Sequence, residues 1–179
     1  IYTAPKGWTM IFRDSWQIEP RITYSAYIRD DLIVKLISAY DDAYYGLLHF
    51  ILLTEDEERE LRNNMDSLVL HEVTDEMKEK RQRLKVLGLA GNYGSSNLAA
   101  IDPELGPLYE KKIVNHQARR AWEAEVTAAV RNGAECFTGY FGTPVYPDST
   151  QKYHRGDAGW AGHMIRCGIN NPIPVSYTH

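Results

Sequence analysis

Apolar positions recur at helical spacing along much of the chain, and they predict a mainly helical protein. Three stretches carry this pattern: 17–28, 32–50 and 108–130. Pro20 fits the first helix only in its opening turn, where a missing backbone N–H costs nothing. Gly133 is placed to end the third helix. The stretch 32–50 is predicted to be mostly helical rather than one perfect element.

Capping and turn residues mark the other elements. Thr54, with Glu57 three residues later, forms the capping-box pattern for an acidic helix that reaches about Asn64. Glycine and proline are frequent in 133–162, which predicts a hairpin and loops. A short helix is expected beyond it, around Arg166.

A long basic helix is predicted after Thr74, the expected N-cap. Asp75 and Glu76 favour its positive end, and Gly91 or Gly94 permits the chain to leave it.

Residues in that helix recur every four positions: Arg81, Lys85, Leu89 and Tyr93, followed by Gly94. A helix rises about 1.5 Å per residue, so the first and last of these side chains lie about 18 Å apart on one face. Cations spaced along phosphates, with apolar groups toward a sugar and base, fit a nucleoside triphosphate. The alternative is a solvated basic face balanced by the acidic helix before it.

Two further patterns flank this helix. The apolar run 10–12 predicts a buried strand that ends close to Asp14, a carboxylate well placed to bind a metal ion. Downstream, Arg166 and Asn170 again place a cation and an amide four residues apart.

In this order the three patterns resemble the polymerase domain of family A DNA polymerases, and the chain is similar to phage members of that group. The resemblance covers about residues 7–173. Five segments carry it: Asp-Ser-Trp-Gln-Ile-Glu-Pro-Arg at 14–21 (motif A), Asp-Ala-Tyr at 42–44, Arg-x-x-x-Lys-x-x-x-Leu-x-x-x-Tyr-Gly at 81–94 (motif B), Thr-Gly-Tyr-Phe-Gly-Thr at 138–143 and Arg-x-x-x-Asn at 166–170.

The resemblance implies nucleotidyl transfer from a dNTP to a primer 3′-hydroxyl by a two-metal mechanism. Asp14 and the backbone carbonyl of Ser15 would bind Mg²⁺, of which the complete enzyme uses two ions. Arg81 would clamp the outer phosphates with its planar donor fork, and Lys85 would place a compact charge near the bond that breaks. Asp14, Arg81 and Lys85 are therefore the predicted catalytic residues.

Substrate contacts are implied by the same motifs. Glu19 would lie under the incoming sugar, leave no room for a 2′-hydroxyl and hydrogen-bond Tyr93, whose ring would stack near the template base. Gln17 and Gly94 complete this set. The alternative for Glu19 is an acid that complements the helix dipole.

Other positions depart from the family pattern or allow two interpretations. Leu89 replaces the usual phenylalanine or tyrosine beside the sugar, so altered sugar discrimination is expected. Tyr44 would donate a hydrogen bond to a phosphate, or else belong to the core. Arg166 and Asn170 would approach primer-template DNA from the minor groove, whereas Pro174 stands where a glutamine is expected.

The fold class expected is α+β: a mostly helical fingers subdomain with strand-helix pieces of a palm. The predicted division is 1–35 as partial palm with motif A, 36–155 as fingers, 156–173 as a palm-side helix and 174–179 as an unassigned tail. The chain begins at Ile1 and no His-Asp-Glu motif follows Asn170, so we expect a fragment that cannot extend a primer by itself.

Composition and charge argue against several other classes of protein. A net charge of −4 over 179 residues argues against a free-standing nucleic-acid binder. Cys136 and Cys167 suggest neither a disulfide framework nor a zinc site. No apolar run reaches membrane-spanning length, so we expect a cytoplasmic protein without a membrane partner. The oligomeric state has no sequence signal.

Two other functions fit parts of the pattern. Single-subunit phage-type RNA polymerases share the arrangement of motif B, although Glu19 favours a DNA polymerase. A non-catalytic helical interaction protein, or a decayed remnant, would use the same residues for packing and surface charge.

Overall fold

The computed structural model describes residues 17–92, 95, 97–134, 136–138, 144–145, 161–162 and 164–165. Over these residues the chain is mostly helical, which confirms the helical part of the expected fold class. The strand predicted at 10–12, which would belong to the sheet of the expected palm, lies outside the described residues. Within the described ranges, no helix is long and apolar enough to cross a membrane.

The first helical stretch confirms the prediction for residues 17–28. Helix α1 spans Ile18–Ile22 and continues as a wider π-helical turn over Thr23–Ile28. Pro20 is its third residue, as its chemistry requires. Arg29 ends the helix in the left-handed conformation, with φ of 54°, and donates its backbone N–H to the carbonyl of Tyr24.

Two helices make up the stretch predicted to be mostly helical. Helix α2 spans Asp31–Ala39 and helix α3 spans Ala43–Leu52. An aspartate caps each of them: Asp30 accepts from Ile33 N at 3.0 Å and Asp42 accepts from Tyr44 N at 2.9 Å.

Gly46 allows helices α2 and α3 to pack closely. A Cβ atom at this position would lie 2.4 Å from the carbonyl oxygen of Leu36. Such a distance is far below van der Waals contact, so a residue with a side chain would push the helices apart.

The capping box at Thr54 is confirmed. Helix α4 spans Glu55–Asn63; Thr54 Oγ1 accepts from Glu57 N at 3.3 Å, and Glu57 Oε2 accepts from Thr54 N at 2.8 Å. A single 3₁₀ turn, Met65–Ser67, follows, and residues 68–74 connect to the next helix without regular structure.

Helix α5 spans Asp75–Asn92 and confirms the long basic helix. Thr74 caps it, because its Oγ1 accepts from Met77 N at 3.2 Å. The helix runs past Gly91, and Gly94 lies outside the described residues. Leu84 and Leu87 anchor α5 in the core, where both side chains are fully buried.

The prediction of one helix over 108–130 is wrong. Helix α7, Leu105–Tyr109, continues as a π-helical turn over Glu110–Val114, and helix α8, Gln117–Arg131, starts after a break. The break falls at Asn115 and His116, and His116 caps α8 by accepting from Ala118 N through Nδ1 at 3.3 Å. A short helix α6, Leu98–Ile101, precedes them.

The end of α8 and the hairpin after it follow the prediction. Gly133 has φ of 87°, which the absence of a side chain makes accessible. Strand β1, Phe137–Thr138, pairs antiparallel with strand β2, Pro144–Val145, and Phe137 stands opposite Val145.

Two apolar clusters form the interior of the described ranges. The larger one joins the π-helical turn after α1 with α2, α3, α5, α6 and α7. The smaller one contains Val126, Val130, Phe137 and Met164. The predicted division between palm and fingers at residue 36 falls inside helix α2, and Tyr24 and Ile28 share the larger cluster with that helix.

Candidate functional site

Three elements that carry predicted site residues meet at the start of helix α3. Gln17 Oε1, just before α1, accepts a hydrogen bond from Ala43 N at 2.6 Å. From α5, Arg81 Nη2 lies 2.8 Å from Asp42 Oδ2, and Arg81 Nε donates to the same oxygen at 2.9 Å. The segment that follows Asp14 and the helix that carries Arg81 therefore contact adjacent residues, Asp42 and Ala43.

Arg81 is held in place by both charge and an aromatic ring. Its guanidinium carbon lies 5.2 Å from the centre of the Tyr44 ring, within cation–π range. The two charged side chains are only 20% and 15% exposed, so water screens the pair less than a surface salt bridge. Asp42 has two roles, since its other oxygen caps helix α3.

Four of the five cations along α5 pair with acids. The pairs are Lys78 with Asp75, Lys80 with Glu76 and Glu104, Arg81 with Asp42, and Arg83 with Asp102 and Glu104. The partners thus come from α5 itself and from neighbouring loops, not from the acidic helix α4. Hydrogen bonds from Arg83 hold the pKa of Asp102 at about 2, below its ordinary value.

Lys85 differs from these cations. It is exposed and makes no ion pair with any residue that the structure describes. It follows Arg81 by one helical turn, and Leu89, 37% exposed, follows by another. Arg81, Lys85 and Leu89 therefore form a row along one side of α5, with a free positive charge in the middle.

Tyr44 is a core residue, only 8% exposed, and its ring lies against Arg81 and α5. This burial supports the second interpretation of Tyr44 over a hydrogen bond to phosphate. A cavity of about 10 Å³ separates it from Leu89. Since that volume holds about one water, a nucleotide would have to lie on the surface above it.

Gln17 has two unusual features. Its φ is 50°, in the left-handed region that non-glycine residues rarely adopt. Its side-chain Nε2 is buried and has no hydrogen-bond partner among the described residues. A buried donor without a partner is uncommon in folded proteins, because leaving it unpaired costs free energy.

The end of α5 is fixed by residues that the sequence did not single out. Arg119, 3% exposed, donates from Nη2 to the carbonyl of Gly91 at 3.1 Å. Beneath it, the hydroxyls of Tyr24 and Tyr109 lie 3.3 Å apart, and burial together with Tyr109 raises the pKa of Tyr24. These contacts position the backbone just before Tyr93.

Arg21 and Asp42 were also missed as positioning residues. Arg21 donates to the carbonyls of Ile37 at 3.0 Å and Asp41 at 2.9 Å, which ties α1 to the connection between α2 and α3. An aspartate just before an apolar helix is an N-cap signal, so the capping role of Asp42 could have been predicted.

The remaining predicted site residues lie outside the described residues: Asp14, Ser15, Tyr93, Gly94, Arg166 and Asn170. The backbone of Glu19 belongs to α1, but its side chain is outside the description. Among the described side chains, no group of three or more histidines, cysteines or acids could hold a metal ion. The convergence of Asp14 with Arg81 and Lys85 stays a prediction.

No protein-family model matches this chain, and neither does any curated protein or solved structure at a significant level. The resemblance to family A polymerases consequently depends on the motifs alone.

Proposed function

We propose that the chain is part of the polymerase domain of a template-directed DNA polymerase and that α5 receives the triphosphate of the incoming dNTP. The observation that carries this proposal is that the two motif segments contact adjacent residues at the start of α3. Gln17 bonds to Ala43 while Arg81 bonds to Asp42. Asp14 precedes Gln17 by only three residues, and the proposal places its carboxylate near Arg81 and Lys85.

The charges on α5 support the same role. Lys85 has no acidic partner among the described residues, whereas the neighbouring cations are neutralised. A phosphate anion would supply the missing negative charge. Negative charge builds up on the phosphates and on the departing pyrophosphate during nucleotidyl transfer, and cations already in place stabilise it.

Arg81 would bind the triphosphate after releasing the carboxylate of Asp42. In the structure Nε and Nη2 of Arg81 bind Asp42, and Nη1 donates to Gln82 Oε1 at 3.2 Å. A triphosphate offers several oxygens to the same planar fork. Binding of dNTP would therefore move Arg81 from the carboxylate to the outer phosphates.

Magnesium remains part of the proposal through Asp14 and the carbonyl of Ser15. When bound, Mg²⁺ would lower the cost of forming the attacking alkoxide and the leaving oxyanion. The described residues contribute the surrounding positive charge and the apolar surface at Leu89.

Sugar and duplex contacts complete the assignment. Glu19 would exclude a 2′-hydroxyl, and Nε2 of Gln17, which has no partner among the described residues, would donate to a substrate oxygen. Tyr93 would stack near the template base, Gly94 would follow it, and Arg166 with Asn170 would approach the duplex through its minor groove.

Primer extension tests this function. The encoded protein that contains residues 1–179 is expected to extend a primer with dNTPs and Mg²⁺, and Asp14→Ala should abolish the reaction. Asp66→Ala is the matched control, because this carboxylate is 98% exposed on the 3₁₀ turn. Equal extension with ribonucleotides would favour the RNA polymerase alternative. Absence of extension with either nucleotide would favour the non-catalytic helical protein.

A further inference from the structure

Two adjoining cavities lie at the opposite end of α5 from Leu89. One has a volume of about 240 Å³ and the other of about 170 Å³. Both are lined by the same four residues: His49, Leu53, Glu57 and His71. Each is smaller than the roughly 300 Å³ at which small-molecule sites begin, so each fits one side chain better than a cofactor.

The rim of this groove is apolar and exposed. Val69, on the wall of the larger cavity, is 78% exposed, and Leu52, on the wall of the smaller one, is 42% exposed. Met77, at the start of α5, closes the smaller cavity. Exposed aliphatic side chains around a cavity are typical of a protein interaction site.

Two acids at the groove lack a cationic partner in the part of the chain that the structure describes. On helix α4, Glu55, Asp56 and Glu58 pair with Lys111, Arg59 and Arg62. The two acids that line the groove, Glu57 and Glu60, have no cationic partner among the described residues. Glu57 uses Oε2 for the capping box, which leaves Oε1 available. A basic partner is therefore favoured and a nucleic acid is disfavoured.

The polar side chain of His49 lies at the floor of the groove. His49 is only 5% exposed, and its Nδ1 lies 2.9 Å from the Tyr40 hydroxyl. That hydroxyl accepts from His71 N at 2.9 Å, so it is free to donate its own hydrogen to Nδ1. The proton of the neutral ring then resides on Nε2, which has no partner among the described residues. Burial and His71 keep the ring neutral near pH 7 by lowering its pKa to about 4.

We propose that this groove, formed by helix α4, residues 67–71 and the start of α5, binds a short peptide segment of another protein in which lysine or arginine alternates with leucine or valine. Its apolar side chains enter the two cavities above His49, and its long cationic side chains reach back over the rim to Glu57 and Glu60. This site is independent of the polymerase assignment, since it uses none of the proposed nucleotide-binding residues.

Fluorescence anisotropy with the full 179-residue chain tests the proposal. The probe is a fluorescein-labelled Lys-Leu-Lys-Val-Lys-Leu peptide; Glu-Leu-Glu-Val-Glu-Leu and Lys-Ser-Lys-Ser-Lys-Ser are the controls. Because both the charge and the apolar side chains are required, each control should bind at least about tenfold more weakly. Equal binding of all three, or tighter binding of the acidic peptide, would overturn the proposal.

Surface variants locate the site without disturbing the core. Glu60→Lys and Val69→Ser should each weaken the basic peptide by about fivefold or more. The matched controls, Glu125→Lys on α8 and Val86→Ser on the far side of α5, should leave binding unchanged. Loss of affinity in the controls but not in the groove variants would contradict the assignment.

Two further measurements show whether the peptide binds in the groove and whether a second copy of the chain covers it. The methyl resonance of Met77 should shift when the peptide binds, whereas that of Met164, buried in the smaller cluster, should not. Sedimentation velocity should show a monomer without peptide. A dimer that dissociates in Val69→Ser would mean that a second copy of the chain covers the groove, and would overturn the proposed occupant.

Discussion

Arg81 and Asp42 form an ion pair of 2.8 Å between helix α5 and the start of helix α3. The same carboxylate caps α3, and the same guanidinium lies over Tyr44. The residue proposed to bind the outer phosphates of a dNTP is therefore already bound to a protein anion. We expect this pair to compete with the nucleotide.

Asp42→Asn should increase the affinity for dATP. The amide oxygen can still cap α3, but it no longer neutralises Arg81, and a partly screened pair of this kind contributes about 1 kcal/mol, or about fivefold in affinity. Equilibrium binding of labelled dATP measures the change. Asp102→Asn is the matched control, because it removes one of the two acids that pair with Arg83, which lies near Arg81 on α5. An unchanged or weaker affinity in Asp42→Asn would contradict the competition.

Leu89→Phe and Leu89→Tyr should change sugar discrimination. Leu89 is 37% exposed and borders the small cavity beside Tyr44, so an aromatic ring there would cover the surface on which the sugar is expected to lie. The measurement is the ratio of dideoxynucleotide to deoxynucleotide incorporation by the encoded protein. Identical ratios in all three proteins would show that Leu89 does not contact the sugar.

The local signals in the sequence predicted the helices well where the chemistry of capping is strong. Thr54, Glu57 and Thr74 occupy their expected positions, because a side-chain oxygen that satisfies free backbone N–H groups acts locally. The break at His116 was missed. Apolar spacing continues across it, and a histidine N-cap is a weaker signal than serine, threonine or aspartate.

The site was harder to predict than the helices. The row of Arg81, Lys85 and Leu89 follows from four-residue spacing on a helix. The residues that hold this row in place could not be predicted from the sequence. Arg81 pairs with Asp42, and Arg119 bonds to Gly91, through contacts between distant segments. The pair of Glu58 with Arg62 follows from their four-residue spacing. Nothing in the local sequence indicates that Glu55 and Glu58 also pair with Lys111 and Lys112, whereas Glu60 has no cationic partner among the described residues.

Gly46→Ala should destabilise the fold, and Gly88→Ala should not. A Cβ at Gly46 would clash with backbone atoms of α2, at a cost of about 2 kcal/mol or more. At Gly88 the nearest atom, Tyr44 Cε1, would lie 3.7 Å away, so the better helix propensity of alanine should stabilise by about 0.5–1 kcal/mol. Urea denaturation measures both free energies of unfolding. Equal effects would mean that α2 and α3 are not in close contact.

The stability of the chain should fall between pH 6.5 and pH 4 because of His49. Burial and His71 lower the pKa of this histidine to about 4 in the folded state, whereas the unfolded chain binds the proton near its ordinary pKa of about 6.5. Stability is thus fully present above pH 6.5, and its loss on acidification approaches at most about 1.4 kcal/mol per pH unit.

His49→Asn tests this pH dependence. The asparagine amide can keep the hydrogen bond to Tyr40 but does not titrate, so the melting temperature should depend less on pH over this interval. The slope is the readout, since the substitution also changes packing. The same slope in both proteins would assign the acid sensitivity to other groups.

The most direct test of the nucleotide site is paramagnetic broadening by Mn²⁺ bound together with dATP. Mn²⁺ replaces Mg²⁺ at carboxylate and phosphate oxygens, and methyl signals near it broaden. We predict that Mn²⁺ with dATP broadens the Leu89 methyls but not those of Leu70, which is 45% exposed before the start of α5, and that Asp14→Ala and Arg81→Ala each abolish the effect. Equal broadening of both leucines, or broadening that persists in Asp14→Ala, would contradict a site shared by Asp14, Arg81 and Lys85.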